Sequence, residues 1–130
     1  MIYLDASALI TFITGREPYL ALESFLADRP NQRLVTSTIG LVETVRGCDQ
    51  LGHYPDLMTM LIHEHEEVPV TDRVRDAAAC IPGGLRTLDA IHVASAEMLR
   101  PDLAAMVTYD KRMAQSARQA GLPVAMPGME

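Results

Sequence analysis

Short, wholly apolar runs alternate along this chain with longer segments in which apolar residues return every three or four positions. Ile2, Tyr3 and Leu4 make the first run, which predicts a strand buried on both faces. The pattern then turns helical from near Ser7 to Gly15, and "EPYLALESFLAD" restarts a helix with Pro18 in its first turn. "RLVTST" reads as a second strand, followed by a helix in "IGLVETVRGCDQLG" that Gly52 closes. "YPDLMTMLIHEH" predicts a further helix and "EEVPVT" a third strand, which Pro69 assigns to an edge or a strand end. "DRVRDAAACI" is helical up to Pro82, "LRTLDAIHVASAEML" is an apolar helix, "AAMVTY" a strand, "DKRMAQSARQAG" a helix and "PVAM" a last short strand.

Strands that alternate with helices, each strand a continuous apolar run, predict an α/β fold whose mainly parallel central sheet carries helices on both faces. With no repeat, linker or low-complexity tract, residues 1–130 read as one domain. In such sheets ligands bind beyond the carboxyl ends of the strands, where the next helices begin. That places the carboxylates. Asp5 follows the first strand and Asp110 follows "MVTY". Glu43 lies in the early turns of the helix leaving the second strand, and Asp89 opens a helix that must descend to the amino end of the strand near Met106. All four acids therefore belong to one edge.

Each acid also has a plainer role: Asp5 as an N-cap, Asp89 at the positive end of a helix dipole, Glu43 as a solvated helix residue. Four together conflict, because like charges repel and raise one another's pKa. A cation removes the conflict, and an oxygen-only donor set selects Mg²⁺ or Mn²⁺. This bears on the net charge of −6, which by itself argues against a nucleic-acid binder. Bound divalent ions reverse the local sign where phosphate would approach. Arg86 before Asp89, and Lys111 and Arg112 after Asp110, are the candidate phosphate contacts, although Arg86 could equally pair with an acid.

The array "YLDASAL", "VETVRG", "LRTLDAIHVASA" and "VTYDKRMAQSARQAGLPV" resembles the PIN-domain nucleases, and closely the VapC-type toxins of bacterial toxin-antitoxin pairs. The resemblance spans almost the whole chain in order. It implies a metal-dependent endoribonuclease that cuts RNA with a metal-activated water, leaving a 5′-phosphate and a 3′-hydroxyl. It further implies a homodimer held inactive by a VapB-like antitoxin. The family's acids fall on Asp5, Glu43, Asp89 and Asp110, and its small hydroxyl residues on Ser7 and Thr108. Asp5 and Asp110 are the first choices as direct metal ligands, Asp89 binds directly or through water, and Glu43 holds a second ion or orients the attacking water. Some members carry a further acid just past the last motif, where this chain has Lys111, Arg112 and Met113.

Other features are weaker. Ser7 lacks a histidine and acid partner nearby in sequence, which disfavours a covalent mechanism. His63 and His65 in "HEHEE" read as a solvated segment rather than a zinc pair. His92, about one turn beyond Asp89, reads as a packed or hydrogen-bonded core residue rather than a catalytic one, and Cys48 and Cys80 as buried small hydrophobes. A receiver-type phospho-acceptor domain would use Asp72 after "EVPVT", but would want adjacent acids after the first strand, where Ala6 follows Asp5. A D-x-D phosphatase fails at Ser7, and a non-catalytic binding module on the same fold would not need the intact acids. No apolar run approaches a membrane span and no secretory leader opens the chain, so a cytoplasmic protein that starts at Met1 is expected.

Overall fold

The computed structural model describes residues 1–130. Five parallel strands lie in the order β3-β2-β1-β4-β5: β1 (Ile2–Leu4), β2 (Leu34–Ser37), β3 (Glu66–Val68), β4 (Ala105–Val107) and β5 (Val124–Ala125). Seven helices connect them: α1 (Ala6–Thr14), α2 (Tyr19–Ala27), α3 (Thr38–Asp49), α4 (Leu57–Glu64), α5 (Asp72–Ala79), α6 (Thr87–Glu97) and α7 (Lys111–Gln119). The chain moves outward from β1 through β2 to β3, then returns to lay β4 and β5 on the other side of β1. The order thus reverses between β1 and β4, paired in the register Leu4 with Val107. A reversal of this kind opens a crevice at the strands' carboxyl ends. Asp5 and Asp110 follow the two strands that flank it.

Alternation along β1 feeds two cores. Ile2 and Leu4 point to one face and pack with Leu9, Leu22, Leu41, Leu57 and Leu61 from α1 to α4. Tyr3 points to the other and packs with Val93, Met106, Met113 and Ala117 beneath α6 and α7. Both faces of the sheet are covered, as the apolar strands require. Gly15 closes α1 in the left-handed region at φ 71°, which a residue without Cβ adopts without strain.

Several details depart from the sequence pattern. Pro18 is the N-cap of α2 rather than part of its first turn, and α3 ends at Asp49, so Gly52 lies in the turn beyond. Thr38 opens α3 instead of ending β2, because the Ser37 hydroxyl accepts from Gly40 N–H and caps the helix there. Cys48 is buried, but Cys80, the C-cap of α5, is exposed because the helix ends there at the surface. Leu88 is exposed as well, so α6 keeps a solvated edge beside Asp89. No helix is long and apolar enough to cross a membrane.

Candidate functional site

Asp5 stands at the first turn of α1 and is 1% exposed. Its Oδ1 accepts from Ala8 N–H at 2.9 Å and from the Ser7 hydroxyl at 2.6 Å, and its Oδ2 accepts a short hydrogen bond from Thr108 Oγ1. The N-cap is real and is one part of a larger arrangement. Ser7 Oγ also accepts from Tyr109 N–H at 2.9 Å, and Thr108 Oγ1 accepts from Asp110 N–H at 3.1 Å. The two hydroxyls therefore tie the turn after β1 to the turn after β4, with Asp5 between them. Burial pushes the Asp5 carboxyl above its ordinary value, against the lowering effect of His92 and the three hydrogen bonds. Burial and the Asp5 charge together push the Tyr109 phenol up to about 12.

Asp110 caps α7, its Oδ1 accepting from Arg112 N–H at 2.9 Å and Met113 N–H at 3.0 Å. Its Oδ2 faces the Arg86 guanidinium at 3.8 Å, and Arg86 Nε donates to Asp89 Oδ2 at 3.2 Å. Arg86 thus bridges two of the acids. Lys111 and Arg112 lie exposed on the first turn of α7. Arg112 also lines a polar cleft of about 230 Å³ with Gly83, Gly84 and Ser116.

Glu43 reaches the same edge from α3. Its Oε1 lies 2.6 Å from His92 Nε2, and His92 Nδ1 lies 2.7 Å from the Tyr3 hydroxyl. His92 and Tyr3 are buried while the Glu43 side chain is 32% exposed, so this chain of contacts runs from the core to the surface. Gly40 permits it: a Cβ there would stand 2.1 Å from Thr36 Oγ1 and 3.4 Å from His92 Cε1, so α3 comes this close to β2 and α6 only with a glycine.

The four acids gather at one edge, with Ser7, Thr108, Arg86, Lys111 and Arg112 around them. They do not close into a cage, and no three His, Cys, Asp or Glu groups stand in metal-holding geometry. Like charges repel, and each carboxylate is drawn to a protein partner. The division of labour is regular. Glu43 Oε1, Asp89 Oδ2 and Asp110 Oδ1 hold position, leaving Glu43 Oε2 and Asp89 Oδ1 without a protein donor and Asp110 Oδ2 with only its long Arg86 contact. Asp5 Oδ1 is filled by two donors, while Oδ2 has one and keeps acceptor capacity. Such a set of carboxylate oxygens suits hard divalent cations, provided Arg86 swings away.

The sequence marks His92 as a packed or hydrogen-bonded core residue and Tyr3 only as part of the first strand. Periodicity held a signal: Tyr3 is two residues from Asp5 on a strand and His92 three from Asp89 on a helix, spacings that share a face. The zinc reading of "HEHEE" finds no support, since His65 Nδ1 contacts Leu61 O at 3.1 Å as α4 ends. Asp72 opens α5 after the edge strand β3, exposed and bonded to Arg73 N–H, apart from the other acids.

The PIN domain family model matches residues 2–119. Ribonuclease VapC47 of Mycobacterium tuberculosis (strain CDC 1551 / Oshkosh) is 35% identical over 133 residues, covering 98% of each chain. Ribonuclease VapC46 of Mycobacterium tuberculosis (strain ATCC 25618 / H37Rv) is 34% identical over 128 residues, covering 97% of each. Among solved structures, a toxin-antitoxin complex from Klebsiella pneumoniae superposes with a TM-score of 0.75 at 21% identity, covering 98% of both chains. VapC20 of Mycobacterium tuberculosis, a sarcin-ricin loop cleaving toxin, superposes with a TM-score of 0.72 at 16% identity, covering 98% of this chain and 100% of that one. Matched along nearly its whole length in sequence and in fold, the chain belongs to the PIN domain family and groups with its VapC members.

Proposed function

We propose that this protein is a Mg²⁺- or Mn²⁺-dependent endoribonuclease, the toxin of a toxin-antitoxin pair, acting in the cytoplasm. The observation that carries the reading is the gathering of Asp5, Glu43, Asp89 and Asp110 at the crevice of a parallel sheet, each with acceptor capacity left over. Asp5, Asp89 and Asp110 are the residues to hold the ion, and Glu43 holds a second one or orients the attacking water. When bound, the ion supplies an activated water and neutralises charge on the phosphoryl oxygens. Ser7 and Thr108 fix Asp5, while Arg86, Lys111 and Arg112 engage the phosphate backbone. Asp72 follows the edge strand β3 rather than either strand that flanks the crevice, which disfavours the receiver alternative, and the VapC ribonuclease relatives favour an enzyme over a passive binding module.

The natural partner is a VapB-like antitoxin with an Arg-bearing segment suited to the acidic edge, and the active form is a homodimer. The deciding experiment sequences RNA ends made by the purified protein with Mn²⁺ or Mg²⁺, beside Asp5→Asn. Specific 5′-phosphate ends made only by the wild type are expected. Identical RNA profiles from the two proteins would refute the reading.

A further inference from the structure

His92 is 1% exposed, Tyr3 fully buried, and together they reach Glu43, one of the two candidate acids that no backbone amide or hydroxyl holds, Asp89 being the other. Asp5 and Asp110 are fixed as helix N-caps, and Asp89 lies 8% exposed on a buried helix face. Glu43 has a longer, freer side chain on α3, and its hydrogen bond is to His92. We propose that Tyr3 and His92 are positioning residues that clamp the Glu43 carboxylate at the acidic edge. The inference rests on Glu43 belonging to the nuclease site.

Proton inventory sets the direction of the clamp. Glu43 Oε1 can only accept, which puts a ring proton on Nε2, and in the neutral imidazole Nδ1 is then left to accept from the Tyr3 hydroxyl at 2.7 Å. The ring proton then sits on Nε2 and is donated to Glu43 Oε1 at 2.6 Å. Tyr3 meets the ring edge-on with centroids 5.9 Å apart, and the imidazole is buried. Glu43 Oε2 has no protein donor.

Three variants and one spectrum test this. Partners of this kind are worth about 10–100-fold in activity, so His92→Leu should lower kcat by that factor with KM little changed. The assay uses a fluorophore-quencher RNA built on the cleavage site mapped for the wild type. His92→Gln offers an amide donor to Glu43 and a carbonyl to Tyr3, and should recover most of the rate. Because the clamp acts through Glu43, neither His92→Leu nor Tyr3→Phe should slow the enzyme further in a Glu43→Gln background. If His92→Leu fails to fold, Tyr3→Phe and His92→Gln decide by the same criteria. Imidazole ¹⁵N shifts of the metal-free protein should show Nε2 protonated and Nδ1 bare. An Nε2 without a proton, wild-type kcat in Tyr3→Phe, or an equal loss in the Glu43→Gln background would each overturn the clamp. Absence of RNA cleavage by the wild type would instead overturn the nuclease reading.

Discussion

Replacing Arg86 with Gln should move metal binding and RNA cleavage in opposite directions. In the structure its guanidinium sits 3.2 Å from Asp89 and 3.8 Å from Asp110, where a divalent ion shared by the two acids would compete with it. The Arg86 side chain is 76% exposed, so the surface value of about 0.2–1 kcal/mol for the closer pair applies, and the longer contact adds little. An ion that must displace this pair loses that much affinity. With a factor of ten for every 1.4 kcal/mol, Arg86→Gln should bind Mn²⁺ up to about fivefold tighter. Isothermal titration at fixed ionic strength measures it, and Lys111→Gln sets the size of the general charge effect, because Lys111 touches neither acid. Raising the salt should narrow the gap. Cleavage should slow meanwhile, because the displaced guanidinium is then the phosphate contact. Mn²⁺ affinity that is unchanged in Arg86→Gln, or no tighter than in Lys111→Gln, would refute the competition.

Asp5→Asn should abolish cleavage yet melt no lower than wild type at pH 7 in metal-free buffer. Burial raises the folded-state pKa of Asp5 above 3.8, so its favourable contribution exists below that pH and is lost as pH rises through the folded value. The advantage of Asn should therefore shrink as the pH falls toward 4, and a wild type that melts higher at pH 7 would contradict the assignment. Gly40→Ala should destabilise by about 1–3 kcal/mol in urea melts, since a Cβ 2.1 Å from Thr36 Oγ1 forces that side chain off its bond to Leu4 O. Lys111→Ala and Arg112→Ala should each weaken RNA binding and reduce the salt slope by about one, through lost counterion release. Unaltered slopes in both would place the RNA path elsewhere.

The sequence by itself determined the elements and the edge. Continuous apolar triplets such as Ile2–Leu4 and Ala105–Val107 can be satisfied only inside a covered parallel sheet, and the Asp5 cap marks where the first strand gives way to a helix. Those signals are local, written within a few residues, which is why the acids could be assigned to one pole. What each acid touches was decided by the tertiary structure. Arg86 bridging Asp89 and Asp110, the hydroxyl ties of Ser7 and Thr108 across two turns, and the Tyr3–His92–Glu43 chain join residues up to 103 positions apart. Such contacts depend on the strand order and on how closely α3 approaches α6 over Gly40, distances set by packing across the whole fold. His92 is the hydrogen-bonded core residue that its apolar helix suggests, but its partners lie 89 and 49 positions away, and only the folded chain brings a phenol to one nitrogen and a carboxylate to the other.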